Sequence, residues 1–169
     1  MKKTVLKYGS YGFLAGIIFF GLAFLLGDNL SYSVQEIIGY TSMVVSLSFI
    51  FFGIKHYRDK VNQGTVTLGK ALVIGLLISI FVGIGVAIID YIYTTVINPD
   101  FATEYLDKTL ATMKETLPAE EYEIEKVKLS EQMQAYGGSG FMAFIMFATV
   151  VMIGFVISLI SGLILQRKN

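Results

Sequence analysis

Four long apolar runs alternate with polar segments along the chain. The runs cover residues 8–26, 37–54, 71–97 and 141–165. Each is close to the roughly 20 residues that an α-helix needs to cross a bilayer. Only helices and closed barrels satisfy their backbone hydrogen bonds inside lipid, and uninterrupted runs of this length favour helices. The pattern therefore predicts an all-α membrane protein with four spanning helices.

Small residues recur at four-residue spacing within these runs. In the third run they form the series Ala71, Gly75, Ser79, Gly83 and Ala87. On a helix this spacing produces one ridge of small side chains, along which a second helix can come close. The first and fourth runs have comparable positions, namely Gly12 and Gly16, and Gly154, Ser158 and Gly162. We expect these faces to pack the spans into one tight bundle; the lining of a pore is the alternative.

Basic residues alternate between the polar segments and predict an orientation. The N-terminal tail has three lysines, the segment after the first run has none, and the segment after the second run has four basic residues. The C-terminal tail contains Arg167 and Lys168. Because cytoplasmic segments are enriched in Lys and Arg, both termini are predicted to be cytoplasmic. The first run lacks a small-x-small cleavage site and is interpreted as an uncleaved span.

The segment between the third and fourth runs is long, acidic and patterned. Residues 98–140 carry nine acidic residues against four lysines. Their first apolar residues recur every three to five positions, mostly on one helical face: Phe101, Tyr105, Leu106, Leu110, Met113 and Leu117. This spacing predicts an amphipathic helix whose acidic side faces water. With cytoplasmic termini, the segment lies on the outer side of the membrane.

Pro118 divides this outer segment in two. Proline suits the start of a helix better than its interior, and a weaker apolar series, Tyr122, Val127 and Met133, follows it. The GGSG sequence of residues 137–140 then ends the pattern and predicts a flexible joint to the fourth run. The outer segment is therefore predicted to be a helical hairpin over about residues 100–136.

Composition supports a membrane protein and excludes several kinds of site. Hydrophobic residues make up 54% of the 169 residues. Charged residues make up 15%, against roughly 25% in soluble domains. The chain has no cysteine, which excludes disulfides, thiolate metal sites and cysteine nucleophiles. The formal net charge of zero gives no indication of a nucleic-acid partner.

Asp90 is the one charged residue in the third run. An ionisable residue inside a membrane is a candidate functional group by default, and Glu36 at the edge of the second run is a further candidate for a polar or ion site. Asp90 follows Ala71 by 19 residues, a helical length of about 28 Å against a hydrocarbon core of about 30 Å. This depth, with Tyr91 and Tyr93 as neighbours, favours a structural or interfacial role at the outer rim over an ion or proton pathway.

A basic cluster follows the second run. It comprises Lys55, His56, Arg58, Lys60 and, at the start of the third run, Lys70. Such clusters attract anionic head groups by on the order of 1 kcal/mol per basic residue. They also set the orientation of the chain. We interpret the cluster as a topology determinant at the membrane interface, with a specific lipid or partner site as the alternative. Thr67 is predicted to cap the third helix.

Recognisable catalytic and metal-binding motifs do not occur in the sequence. His56 is the only histidine and has no further ligands at helical spacing. The acidic residues after Pro118 lack the Asp/Asn/Gly pattern of a calcium loop. The sequence also contains no Ser/His/Asp grouping, phosphate-binding loop or dinucleotide motif. We therefore expect no enzyme activity, no metal and no cofactor.

Five short segments carry a family resemblance. They are residues 39–43 (GYTSM), 53–59 (GIKHYRD), 69–72 (GKAL), 98–101 (NPDF) and 158–165 (SLISGLIL). Together they resemble an uncharacterised bacterial membrane-protein family, domain of unknown function 4199, found mainly in Bacteroidota. The resemblance covers nearly the whole chain and implies a four-helix protein of the inner membrane. It implies no activity, substrate or catalytic residue.

These patterns predict a single membrane domain over residues 1–169. We expect an integral four-helix bundle with cytoplasmic termini and an outer helical hairpin. The expected function is non-enzymatic association, with membrane lipids around the spans and a second copy or another membrane protein bound through the hairpin. The alternative is a transporter or channel component that uses Asp90 and Glu36. A lipid-head-group enzyme or binder is a third hypothesis, for which the sequence offers no clustered carboxylates or histidines.

Overall fold

The described chain is almost entirely helical. In the computed structural model the described residues are 1–27, 30 and 32–167, and the side chains of residues 26, 27, 32, 33 and 36 are not among them. The α-helices in this part of the chain are α1 (Lys2–Gly27), α2 (Tyr32–Leu47), α3 (Phe49–His56), α4 (Leu68–Ile92), α5 (Phe101–Thr116), α6 (Ala119–Tyr136) and α7 (Ser139–Leu165). Five-residue π-helical turns, Tyr57–Val61 and Tyr93–Ile97, extend α3 and α4.

Four helical stretches are long and apolar enough to cross a membrane. They are Lys2–Leu25, Ile37–Val61, Leu68–Ile97 and Ser139–Leu165. The prediction of an all-α chain with four helices long and apolar enough to span a membrane is thereby confirmed for the described residues. The helices differ from the predicted runs mainly at their basic ends, where they include Lys2, Lys3 and the residues up to Val61. Lys and Arg are good helix formers, so the helices continue past the last apolar residue.

The second span is divided at Ser48 into α2 and α3. The Ser48 backbone N–H donates to the Val45 carbonyl at 3.2 Å, three residues back rather than four. Its hydroxyl donates to the same carbonyl at 2.7 Å. A serine hydroxyl that bonds a preceding carbonyl competes with the helical ladder and bends helices. The apolar pattern alone does not predict this break, because Ser48 lies within an otherwise regular run.

The chain divides into two compact units. Unit 1 comprises Met1–Ile89 and Met146–Asn169, and unit 2 comprises Asp90–Ile145. In unit 1, α4 contributes fully buried residues at four-residue spacing: Ile74, Ile78, Val82 and Val86. They share one core with Leu47, Ile50 and Ile54 of α2 and α3 and with Val150 of α7. Because all of these side chains are aliphatic, the core of unit 1 is apolar along this row.

Glycines allow α1 to lie close against α4 in unit 1. A methyl carbon placed on Gly12 lies 2.6 Å from Val82 Cγ2, and one on Gly16 lies 3.3 Å from Val86 Cγ2. On the α4 side, a methyl carbon on Gly85 lies 2.7 Å from the Phe13 carbonyl oxygen. Without such small residues the two helices would have to separate, since membrane helices associate through close packing.

Unit 2 contains α5 and α6, which contact each other. The chain turns between them at Leu117 and Pro118, both with extended ψ angles of about 149° and 148°. Proline disfavours the helical conformation in the residue before it, which ends α5 at this point. At the start of α5, the Phe101 ring lies 5.7 Å from the Tyr93 ring. Neither helix has a buried residue. Both therefore pack only through half-buried side chains.

The apolar series predicted for α6 is wrong at Val127. Val127 is 56% exposed, whereas Tyr122, Leu129 and Met133 are half-buried. Residues on a helix advance by about 100° each, which places Val127 almost opposite the face shared by the other three. The packed face of α6 is therefore Tyr122, Leu129 and Met133.

The flexible joint predicted at residues 137–140 is shorter in the structure. The helix α6 ends at Tyr136 and α7 already begins at Ser139. The Gly138 carbonyl accepts hydrogen bonds from the backbone N–H groups of Phe141 at 2.9 Å and Met142 at 3.0 Å. Gly138 thus closes the first turn of α7. Only Gly137 and Gly138 connect the two helices.

Candidate functional site

Asp90 occupies a buried position on the central helix α4. The four-residue spacing of the buried row that ends with Val86 continues with Asp90 and Thr94, which are 4% and 5% exposed. The Asp90 Oδ2 atom is buried and has no hydrogen-bond partner among the described residues. A carboxylate in such surroundings is costly unless it is protonated, paired or bound to a cation. This carboxyl is the clearest candidate functional group in the described chain.

Hydroxyl groups lie along α4 beyond Asp90. Thr94 Oγ1 donates to the Asp90 carbonyl oxygen at 3.0 Å, and Thr95 Oγ1 donates to the Tyr91 carbonyl oxygen at 2.6 Å. Ser139 Oγ, at the start of α7, donates to the Thr94 carbonyl oxygen at 3.2 Å. These hydroxyls bond backbone carbonyls, so none of these three hydrogen bonds reaches the Asp90 carboxyl.

The residue of α7 at the level of Asp90 is an alanine. Ser139 contacts Thr94, and the two helices run in opposite directions. One helical turn along α7 from Ser139 is Ala143, and one turn back along α4 from Thr94 is Asp90. Ala143 is 7% exposed and its methyl group offers no hydrogen-bond donor.

The position of Asp90 along α4 is close to one end of the span. Asp90 lies 22 residues beyond Leu68, which corresponds to about 33 Å of helix, against a hydrocarbon core of about 30 Å. Asp90 thus lies near the end of the span, and its side chain is buried within the protein. The sequence predicts the depth of Asp90 along the helix but not whether its side chain is buried. The Glu36 side chain, the other candidate polar site, lies outside the described residues.

The small residues of α4 meet those of α7 in unit 1. A methyl carbon placed on Gly75 falls on Ser158 Oγ, and one placed on Gly154 falls on Ser79 Cβ. A methyl carbon on Gly162 lies 3.2 Å from Ala71 Cβ. Gly83 instead faces the Phe147 ring, 2.8 Å from a methyl carbon placed on it, and Ala87 is half-buried. At these positions α4 and α7 leave no room for a solute between them.

Arg58, one member of the predicted basic cluster, forms hydrogen bonds within unit 1. Its guanidinium donates to both carboxylate oxygens of Asp59, at 2.6 and 3.2 Å. It also donates to the Leu165 carbonyl oxygen at 3.4 Å. Beside it, Val66 and Arg167 form an isolated antiparallel β-bridge. These contacts join the polar segment after α3 to the end of α7, a long-range pairing for which the sequence contains no signal.

His56 faces α1 rather than lying free in solvent. Its ring lies 5.4 Å from the ring of Tyr8, and its Nδ1 atom is buried with no hydrogen-bond partner among the described residues. Lys7 Nζ lies 5.6 Å from the centre of the same Tyr8 ring. Tyr8 thus connects a lysine of α1 with the histidine of α3. Sequence reasoning missed Lys7 and Tyr8, because they are distant in the chain from His56.

The remaining lysines of the cluster, Lys55, Lys60 and Lys70, are exposed. Lys70 lies in the first turn of α4, where its backbone N–H donates to Thr67 Oγ1 at 3.3 Å. This bond confirms the predicted capping role of Thr67. Within the described residues, no group of three His, Asp or Glu side chains could hold a metal ion.

Comparison with known proteins identifies a family. A family model described as a protein of unknown function (DUF4199) matches residues 7–167. No curated protein and no solved structure matches the chain. The family match extends over all four candidate spans and the segment that contains α5 and α6. The chain therefore belongs to the DUF4199 family, which is defined by sequence and has no known function.

Proposed function

We propose that this protein is a small, non-enzymatic component of the bacterial inner membrane that works by binding another membrane protein. Its spans form a four-helix bundle with both termini in the cytoplasm. The helices α5 and α6 lie on the outer side as a hairpin and present the binding surface. Alternation of basic and acidic segments along the chain supports this orientation.

The observation that carries this proposal is an apolar pair on the free face of α6. Ile124 and Val127 are 62% and 56% exposed. They lie three residues apart, so they share a face. That face is opposite Tyr122 and Met133, which are half-buried. Exposed apolar residues outside the spans, set among charged ones, are typical of a surface that binds a partner.

The charge around this pair indicates what the partner looks like. Residues 101–136 carry eight acidic residues against four lysines. A complementary surface has an apolar centre and a basic rim, because opposite potentials favour association and steer it. Such a surface on the outer part of a second membrane protein fits α6 better than an acidic one. A second copy of this chain repeats the acidic charge and is disfavoured.

The experiment replaces the apolar pair and keeps the helix. The double variant Ile124→Glu, Val127→Glu is expected to lose crosslinking to its partner in intact cells, because two charges then occupy the centre of the contact. The control is Gln132→Glu, Gln134→Glu, which adds the same charge to exposed positions of α6. Partners are identified by mass spectrometry and verified by reciprocal capture. Equal crosslinking by both double variants contradicts the proposal.

A second candidate function is a proton or cation pathway that includes Asp90. The burial of this carboxyl, in line with four fully buried aliphatic residues, favours it. An acidic side chain at such a position is expensive and is commonly retained for transport or proton transfer.

Flux measurements in liposomes distinguish the two functions. With Asp90 in a pathway, the wild-type protein supports proton or cation flux, and Asp90→Asn abolishes it while preserving side-chain shape. Asp107→Asn is the control, because Asp107 is exposed on α5. Absence of flux in the wild type, or equal flux in Asp90→Asn, rules out this candidate and leaves the binding function standing.

A further inference from the structure

Two pairs of basic residues flank the contact between α1 and α3. Lys3 and Lys7 lie four residues apart on α1, and His56 and Lys60 lie four residues apart at the end of the second span. Residues at this spacing share a helix face. The rings of Tyr8 and His56 lie 5.4 Å apart, and Lys7 Nζ lies 5.6 Å from the centre of the same Tyr8 ring, so the two pairs border one helix contact. We call Lys3, Lys7, His56 and Lys60 the basic seam.

Among the described residues of unit 1, no acidic side chain pairs with the basic seam. Asp59 is the only acidic residue in residues 1–27, 37–89 and 146–169. Its two carboxylate oxygens are bonded by Arg58. Lys3, Lys7 and Lys60 are exposed, and no ion pair involving them occurs among the described residues. The seam thus offers free ammonium groups to an anion.

An apolar strip continues from the basic seam along α1. Tyr11, Leu14 and Ile18 follow Lys7 at spacings of four, three and four residues, which keeps them on one side of the helix. They are 46%, 53% and 55% exposed. Tyr11 also contacts Phe49 of α3, with ring centres 6.0 Å apart. A ligand at the seam therefore meets cations at one end and an apolar strip along the span.

We propose that the basic seam and this strip bind one anionic phospholipid. The phosphate lies among the ammonium groups of Lys3, Lys7 and Lys60, where charge-assisted hydrogen bonds are strong. One acyl chain lies along Tyr11, Leu14 and Ile18. A lipid fits better than a soluble anion, because only a lipid satisfies the cations and the apolar strip together. The inference does not depend on the function of α5 and α6.

The test measures lipid retention by native mass spectrometry of the full-length protein released from nanodiscs. The probes are phosphatidylglycerol and phosphatidylcholine, together with inorganic phosphate in solution. We expect the wild-type protein to retain one phosphatidylglycerol. The seam variant Lys7→Gln, Lys60→Gln is expected to retain at least fivefold less. Phosphatidylcholine is not retained by either protein.

A matched control separates a site from general attraction to a charged membrane. Lys55→Gln, Lys70→Gln removes the same charge from exposed positions near the same end of the spans. Lys55 lies two residues from Gly53, the residue of α3 that faces Tyr8, and therefore lies on the other side of α3. The control is expected to retain phosphatidylglycerol at the wild-type level.

Three outcomes overturn the inference. Equal loss of lipid in the seam and control variants means that only the general membrane charge matters. Unchanged retention in the seam variant means that the seam is not the site. Binding of inorganic phosphate that competes fully with the lipid means that the strip contributes nothing. Melting temperatures in phosphatidylcholine nanodiscs verify folding, and Lys7→Gln alone carries the same test if the double variant is unstable.

Discussion

At Gly75 the structure leaves space for a hydrogen atom and nothing larger. A methyl carbon placed there falls on Ser158 Oγ and lies 2.5 Å from Ser158 Cβ, which is fixed to the backbone of α7. The serine cannot relieve this contact by changing rotamer. Any side chain at this position therefore requires α4 and α7 to separate.

Alanine substitutions at two glycines of α4 test this contact. Gly75→Ala is expected to destabilise the protein by about 1–3 kcal/mol, as overpacking of a close contact does. Gly69→Ala is the control, because no atom lies within 4 Å of a methyl carbon placed at Gly69. Its unfolding free energy is expected to change by no more than about 0.5 kcal/mol. Reversible unfolding in mixed micelles measures both, and equal effects contradict the close contact.

Asp90 is a buried acidic residue that is expected to cost stability. The residue is 4% exposed, and its buried Oδ2 atom has no hydrogen-bond partner among the described residues. A leucine has the same branching at Cγ, although its methyl groups are larger than the carboxylate oxygens, and it carries no polar atoms. Replacing an unsatisfied buried polar group by an apolar one of similar shape is neutral or stabilising.

We therefore expect Asp90→Leu to raise the free energy of unfolding by about 1–3 kcal/mol. Asp107→Leu, at an exposed position of α5, is expected to leave it nearly unchanged. Unfolding in micelles free of added divalent cations is the measurement. A loss of stability in Asp90→Leu indicates instead that the carboxyl makes a favourable interaction, such as with a bound cation.

At the scale of elements, α4 differs from α5 and α6 in how much of its apolar surface is buried. The helix α4 has four fully buried aliphatic residues in one row and contacts α1, α3 and α7 in unit 1. The helices α5 and α6 have no buried residue. Helices with little buried apolar surface open more readily, because less free energy opposes local unfolding.

Hydrogen exchange of the intact protein in nanodiscs measures this difference. Amides of α5 and α6 are expected to exchange at least about tenfold faster than those of residues 74–86 in α4, which corresponds to an opening free energy lower by about 1.4 kcal/mol. The exposed residues Lys2 and Lys3 at the start of α1 serve as the reference for unprotected amides. Equal protection in all three helices indicates that a partner or the membrane covers α5 and α6.

At the scale of the whole molecule, the predicted orientation rests on charge alone. The basic residues Lys60 and Lys70 flank the polar segment after α3, and the acidic residues lie in α5 and α6. Positive segments remain cytoplasmic during insertion. The absence of cysteine allows single cysteines to report orientation without background labelling.

Single-cysteine variants are expected to label on opposite sides of the membrane. Glu123→Cys on α6 is expected to react with a membrane-impermeant maleimide in intact spheroplasts. Gln63→Cys, in the segment after α3, is expected to react only after permeabilisation. Both positions are exposed, so accessibility within the fold does not decide the result. The reverse pattern contradicts the orientation with cytoplasmic termini.

The sequence by itself determined the helical class and the four spans. Bilayer thickness imposes segment length, and an apolar run of about 20 residues can satisfy its backbone only as a helix in lipid. It also marked Gly75, Ser79, Gly154 and Ser158 as packing positions, since a close helix contact needs small residues at four-residue spacing.

Only the tertiary structure decided which of these faces meet and which side chains they enclose. Periodicity places Asp90 and Val127 on a helix, but burial depends on which neighbour covers each face. The Ser48 break and the contact of Arg58 with the Leu165 carbonyl also have no local sequence signal. The same holds for the contact of the Tyr8 ring with the His56 ring. The contacts of Arg58 with Leu165 and of Tyr8 with His56 join residues far apart in the chain, so packing free energy rather than local preference selects them.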